Sequence, residues 1–508
     1  MGIVQKDAVK TSMLSFIGLV LGYLNKGILF ILLFSTAQVG VINLLLNVGL
    51  LFAQFANLGT TYSTWRFFPF FRNKEKKNYG FLLFNVLVVC LGIALFTFLY
   101  WLFFPQITSY FKEKSPLFVS YAWWVIPVGI GNVVFMLFEN YMRGLFKNIL
   151  PVFLQDIGLR LVTTVLLVFY ALKWISFPVF LSALMLSNLL PALVLFFYLI
   201  WKGELTFSLR DITVPKRFRK IIVSFSLFSY VNTMATILVV SMDAVMIGSM
   251  IGLAATGVYT TMVQITSATL VPFRSMTRVS APIVAKLWKE KDLKGLQSIY
   301  RKSSGAGLFI GLVSFLVIWL PVEELFSFLQ ADFKAGIPVL LFLLIGRVVD
   351  MYCGLNGIIF STSRKYKYDL LFTLFLCFGV YVLNLILIPK YGIAGVGFAT
   401  GFIYVFYNFA RSLYIYRAYG LNPFHLSQWK PLALFGLVLM VYYILRFWLP
   451  FSPDLSLAQK LLRLMVIEGY VLCAFIVPTL WFNLEPESAG YARSFLQEVK
   501  RKLIKSYF

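Results

Sequence analysis

Residues 150–200 read LPVFLQDIGLRLVTTVLLVFYALKWISFPVFLSALMLSNLLPALVLFFYLI. Two apolar runs, 150–172 and 175–200, flank the pair Lys173–Trp174. A helix of about 20 apolar residues crosses a hydrocarbon core of ~30 Å, and each run is long enough to do so. The stretch therefore predicts a hairpin of two membrane-spanning helices.

The pattern repeats outward from this hairpin. Further apolar segments fall near 11–34, 39–64, 79–104, 118–142, 220–250, 254–277, 303–322, 336–361, 368–389, 392–416, 430–449 and 462–482. Hydrophobic residues make up 60% of the chain and charged residues 13%, which leaves no room for a sizeable soluble domain among its 508 residues. The net charge of +25 has a membrane explanation. Lys112, Lys114, Lys173, Lys334, Lys390, Arg446, Lys460 and Arg463 fall on one set of alternate connections, and Lys26, Arg160 and Arg347 fall inside segments. All other lysines and arginines fall on the opposite set, including the run 66–77, the loops 202–220 and 274–302, and the tail. Positive charge marks the cytoplasmic side, so both termini are expected there. Basic loops beside anionic headgroups account for the charge without nucleic acid. The first segment lacks a small-residue cleavage site and reads as retained.

Cys90, Cys353, Cys377 and Cys473 all lie in apolar segments, and His425 is the single histidine. Neither disulfide or zinc spacing nor multi-histidine chemistry is available. The chain is expected not to be an enzyme.

One offset relates the two halves. Gly40–Val41 opens the second segment and Gly257–Val258 the eighth, 217 residues on; Lys173–Trp174 and Lys390–Tyr391 stand at the same offset. Segments 1–6 thus map onto 7–12. Because six is even, the halves point the same way, related by a pseudo-two-fold along the membrane normal. The fold class expected is an all-α polytopic membrane protein of about 14 transmembrane helices: two six-helix bundles plus a C-terminal helix pair. The expected parts are a first bundle (1–200), a basic linker (201–219), a second bundle (220–417), accessory helices 13–14 (418–484) and an amphipathic basic tail (485–508). Apolar residues among lysines also mark 281–302 as an amphipathic helix on the inner leaflet.

Polar residues inside these segments are the candidate site. Asn43, Asn47, Gln54, Asn57 and Thr61 are spaced to share one helical face. Shifted by 217 the stripe reads Thr260, Gln264, Val271, Arg274 and Arg278, with Ser267 beside it. Two equivalent polar stripes suit the walls of a wet cavity; helix–helix contacts glued by side-chain hydrogen bonds are the alternative. Charges within a bilayer are costly and face a protein interior. Lys26 and Asp243 stand at equivalent positions, and either pair as a latch or divide the work, lysine holding phosphate and aspartate a cation or proton. Glu139/Arg143, Asp156/Arg160 and Arg347/Asp350 have the spacing of intrahelical pairs or line an inner vestibule. Arg274 and Arg278 suit bidentate contact with an anionic headgroup, or anchor the helix at the cytoplasmic side.

The run SYVNTMATILVVSMDAVMIGSMIGLAATGVYTTMVQI (229–265) and NLILIPKYGIAGVGFAT (384–400) resemble the multidrug/oligosaccharidyl-lipid/polysaccharide (MOP) exporter superfamily. KTSMLSFIGLVLGYLNKG (10–27) and VGVINLLLNVGLLFAQFANLGTTYSTWRFFP (39–69) resemble the opening of Wzx-type polysaccharide flippases. The resemblance covers essentially the whole chain. It implies a fourteen-helix alternating-access transporter of the cell membrane that turns a polyprenyl-pyrophosphate-linked oligosaccharide to the outer face. Partners implied are that lipid, membrane lipids, and polymerase or glycosyltransferase machinery. Cavity residues expected to bind substrate are Lys26, Asn47, Gln54, Asn57, Arg160, Gln264, Arg274, Arg278 and Arg347. Asp243, Asp350, Asn384 and Thr400 are expected to couple an ion or gate the path, with Na⁺ on Asp243, Asn384 and Thr400, or H⁺, as coupling ion and no other cofactor. Lipid II flippases of the superfamily carry several cavity arginines where segment 1 here offers only Lys26. Drug exporters carry an acidic residue in segment 1, and this chain has none there. Lipid II and cationic drugs therefore stand as alternative cargoes, and a membrane-embedded polymerase as an alternative class.

Overall fold

The computed structural model describes residues 3–60, 64, 67–68, 71, 80–145, 147–205, 216–365, 367–448 and 456–484. Thr61, the charges of the 66–77 run, residues 206–215 of the linker and the tail 485–508 lie outside them. The described residues are helical throughout, joined by turns, without a strand.

Among the described residues, twelve helices are long and apolar enough to cross a membrane. They are α1 (Met13–Leu33), α2 (Thr36–Ala56), α3 (Phe81–Leu102), α4 (Pro116–Gly144), α5 (Ile149–Ala171), α6 (Phe177–Trp201), α7 (Thr233–Met250), α9 (Leu293–Trp319), α10 (Ala331–Tyr352), the kinked helix Lys367–Tyr419, α13 (Leu426–Trp448) and α14 (Ala458–Trp481). Lys367–Tyr419 is two helices, α11 (367–391) and α12 (393–419), broken at Gly392 where φ is 56°. A further long helix, α8 (Leu253–Glu290), is polar along one side and contains Pro272 and Pro282. This is a polytopic α-helical membrane protein.

The chain divides into two compact units, Met1–Thr261 and Met262–Phe508. In the first, α1 packs on α5, α5 on α6, α6 on α4, α4 on α2, and α2 on α3 and α7. Small residues permit the close approaches. A Cβ on Gly18 would strike the backbone of Asp156, and one on Gly22 the Arg160 guanidinium. Glycines four residues apart put both on one face, as membrane helix contacts require. Phe30, Phe34, Tyr170 and Phe180 close the same α1–α5–α6 packing, with Phe34 at 4.9 Å from Phe180 and 4.7 Å from Tyr170.

In the second unit α10 packs on α9 and on the α11–α12 helix. Gly397 and Gly401 of α12 meet Val339 and Phe342 of α10, again four residues apart. Leu308, Leu312 and Leu316 of α9, with Leu320 at its C-cap, make one stripe and pack on Val438, Ile467, Val471 and Phe475 of the accessory pair. The hairpin turn between α11 and α12 rests on the left-handed Gly392. The turn after α5 rests on Lys173, with φ 61°.

Two expectations are corrected. Residues 281–302 are not a separate interfacial helix. α8 runs on to Glu290, Lys291 turns at φ 58°, and Asp292 caps the next helix by accepting from the Gly295 amide at 2.9 Å. Val284 and Leu296 are buried beside Tyr300, Phe360 and Ile415, so part of the apolar pattern faces a protein core rather than lipid. The second segment also ends early. α2 stops at Ala56, because Leu58 (φ 48°) and Gly59 (φ 79°) are both left-handed.

Candidate functional site

In the first unit, α1 is interrupted by a π-helical stretch, Tyr23–Leu29, and α5 by another, Phe153–Gly158. Such stretches are often found at functional positions. The two lie on helices that pack together and carry the unit's candidate charges. Lys26 is in the first stretch, half-buried, within electrostatic reach of Arg160. Asn25, buried, fastens the arrangement: its amide donates to the Arg160 carbonyl at 2.8 Å, and its Oδ1 accepts from Thr164 at 2.9 Å. Asn25 was not among the expected residues. Its signal in the sequence was only an amide beside a lysine.

The expected Asp156/Arg160 intrahelical pair does not form among the described residues. Asp156 accepts from Ser15 of α1 at 2.7 Å. The wide π turn between the two charges alters the spacing that would bring i and i+4 together. The Arg160 Nη1 has no hydrogen-bond partner among the described residues. Lys26 makes no ion pair among them either. Asp243 is buried and accepts from the Tyr259 hydroxyl. Tyr259 carries no sequence signal of this role.

The polar stripe of α2 divides. Asn43 and Asn47 are half-buried and Gln54 is buried. Asn47 donates to the Asn43 carbonyl at 2.8 Å. Asn57 is the C-cap of α2, with helical φ and ψ, and its carbonyl accepts from Thr60 at 2.9 Å. Asn43 Nδ2 donates to Thr260 Oγ1 at 3.0 Å. The backbones close by also meet reciprocally. A Cβ on Gly40 would strike the Leu253 carbonyl and the Gly257 amide; one on Gly257 would strike the Thr36 carbonyl and the Gly40 amide. Thr36/Leu253, Gly40/Gly257 and Asn43/Thr260 all stand 217 apart. All six residues lie within the first unit, where α2 meets the start of α8.

In the second unit, the exposed Arg274 lies within electrostatic reach of Arg278, Arg347, Asp350 and Tyr404. The Arg347 guanidinium sits 5.3 Å from the Tyr404 ring centre, a cation–π contact. Arg347 and Asp350 form no ion pair among the described residues. Gln264 is half-buried higher on α8; Asn384 and Thr400 are buried on α11 and α12. A buried ion pair that the sequence did not disclose joins α12 to α11: Arg411 with Asp369. Arg411 was assigned to a connection, yet it is inside a helix and largely covered. Its partner is 42 residues away, beyond any helical spacing rule. Asn356 donates to Asn408 at 2.9 Å.

Carboxylate, amide and hydroxyl oxygens are the donors a hard cation such as Na⁺ takes, and Asp243, Asn384 and Thr400 have that chemistry. Among the described residues no group of three or more His, Cys, Asp or Glu could hold a metal.

No family model matches the chain, and no curated protein matches it in sequence. Solved structures do match in fold. A lipid II flippase MurJ in an inward closed conformation superposes with a TM-score of 0.68 at 15% identity, covering 94% of this chain and 99% of its own. An inward-facing multidrug-resistance MATE transporter of the MOP superfamily gives 0.65 at 16%, covering 82% of this chain and 98% of its own. A MOP-superfamily transporter from Pyrococcus furiosus, described by the reverse polarity of its binding pocket, gives 0.53 at 18%, covering 82% and 96%. The fold is therefore the one shared by MATE transporters and MurJ, and these neighbours are transporters and flippases rather than enzymes.

Proposed function

We propose that this protein is a flippase for a lipid-linked oligosaccharide carried on polyprenyl pyrophosphate, moving the headgroup from the cytoplasmic to the outer face of the cell membrane. The observation that carries the reading is the neighbourhood of Lys26 and Arg160. Two cations lie within reach of one another on membrane-length helices. Asp156, the nearby acid, acts on Arg160 while accepting from Ser15 of α1, and leaves two cations to one carboxylate. Such a pair is suited to a phosphate-bearing cargo, since charge in a membrane protein is retained where it meets an opposite charge. The same pair weighs against a cationic drug as cargo. Lipid II is the second reading, favoured by the fold likeness to MurJ over 94% of the chain.

In the second unit Arg274, Arg278 and Arg347 would gather the anionic headgroup and Gln264 would offer hydrogen bonds to sugar hydroxyls; in the first unit Asn47, Gln54 and Asn57 would offer the same. In the first unit Asp243 would couple transport to Na⁺ or H⁺; in the second, Asn384 and Thr400 would offer oxygen donors for Na⁺ and Asp350 would act as a gate charge. Polymerase or glycosyltransferase machinery would supply and take up the cargo, with both termini cytoplasmic.

The test is transport in liposomes. Purified protein is given labelled polyprenyl-pyrophosphate oligosaccharide, with and without a Na⁺ or H⁺ gradient. Gradient-dependent movement of the headgroup is expected. Movement of lipid II alone transfers the protein to the second reading. Uptake of a cationic dye, with no lipid-linked sugar moved, overturns both.

A further inference from the structure

The accessory helices hold a cleft that the transport reading does not use. It lies between α13, α14 and the short helix Val322–Phe326 that follows α9, and encloses about 350 Å³. Its walls are of two kinds. Leu445, Leu462 and Val466 are apolar, and Glu324, Arg446 and Arg463 are charged. Glu324 is 4% exposed, and its Oε2 has no hydrogen-bond partner among the described residues. Arg446 is ion-paired to the neighbouring Glu323 and donates to the Tyr442 hydroxyl at 3.3 Å. A carboxylate oxygen withdrawn from water is costly to keep unless a donor reaches it.

The depth of the cleft is marked by aromatic residues. Trp319 at the end of α9 donates to the Tyr443 hydroxyl at 2.9 Å, and Phe447 and Trp448 stand exposed at the end of α13. Trp and Tyr collect at the level of lipid headgroups. The cleft thus combines, at headgroup depth, a buried acceptor, two guanidinium groups and an apolar wall that an acyl chain can follow.

We propose that this cleft binds a phospholipid with a primary ammonium headgroup, phosphatidylethanolamine. The ammonium donates to Glu324, the phosphate meets Arg446 and Arg463, and an acyl chain lies along Leu445, Leu462 and Val466. Arginine has donors enough to hold a phosphate while it keeps its carboxylate partner. Phosphatidylcholine has no N–H to offer Glu324, and phosphatidylglycerol brings no cation.

The test is native mass spectrometry of the full chain titrated with phosphatidylethanolamine, its N-methylated series through phosphatidylcholine, and phosphatidylglycerol. A charge-assisted hydrogen bond predicts that phosphatidylethanolamine binds about tenfold more tightly than phosphatidylcholine. Glu324→Gln, close in shape, removes that preference. Val466→Trp fills the cleft without touching the carboxylate and lowers binding of phosphatidylethanolamine. Equal binding of the two lipids, a preference unchanged in Glu324→Gln, or displacement by free ethanolamine at equal concentration overturns the proposal.

Discussion

Asn43 donates through Nδ2 to the hydroxyl of Thr260 at 3.0 Å, and the two residues are each other's counterparts in the repeat. Side-chain hydrogen bonds between membrane helices average about 0.6 kcal/mol by double-mutant cycle. Asn43→Ala and Thr260→Ala are therefore expected to be non-additive by about that amount. Thermal unfolding in detergent of the two single variants and the double variant gives the coupling; strict additivity would show that the contact carries no energy.

The glycines beside that bond are less forgiving. Gly40→Val and Gly257→Val each drive a side chain into a facing backbone carbonyl, which cannot turn aside as a side-chain tip can. Overpacking of this kind costs about 1–3 kcal/mol or more, and both variants are expected to lower the yield of folded protein. Gly436 in α13 is the control. A Cβ there meets nothing within 4 Å, so Gly436→Ala should raise stability by about 0.5–1 kcal/mol. Size-exclusion profiles and melting temperatures read all three.

For the ion pair of Asp369 and Arg411, the order of substitution matters. Their side chains are 14% and 11% exposed. Asp369→Asn leaves the guanidinium without its counter-charge, at a cost of about 3–5 kcal/mol. Asp369→Leu with Arg411→Met removes both charges and is expected to cost less than the single change. Melting temperatures that rank the double variant below Asp369→Asn would contradict this.

Lys26→Ala and Asp243→Asn are each expected to abolish export while leaving membrane insertion intact. Arg160→Ala is expected to act in the same direction as Lys26→Ala, since the two cations share a neighbourhood. The liposome assay decides the matter, with membrane-fraction immunoblots as the insertion control. Normal transport by Lys26→Ala would remove the lysine from the mechanism.

Apolar length and the 217-residue offset made the helices legible, because burial in lipid leaves a signal that any window of sequence records. The offset even named Asn43 and Thr260 as equivalents, though not that they touch. What escaped depends on backbone geometry or on distant partners. The polar face does not run on as one helix past Asn57, because Leu58 and Gly59 leave the helical region. The Asp156/Arg160 spacing failed because a π stretch intervenes. Asn25 and Tyr259 gained their roles from partners 135 and 16 residues away, and Asp369 met Arg411 across a hairpin. The apolar residues of 281–302 read as lipid-facing, because the pattern cannot say which apolar medium receives them.

The wide turns in α1 and α5 have a mechanical consequence. A residue occupies about 100° of an α-helical turn. Relaxing the Tyr23–Leu29 stretch to ordinary α-helix would swing everything on one side of it by roughly that angle while breaking few backbone hydrogen bonds. Lys26 sits inside the stretch, so its direction is set by where the slack in the helix resides. A charge mounted this way can be re-aimed by a screw motion of its own helix, with no hinge and no unfolding.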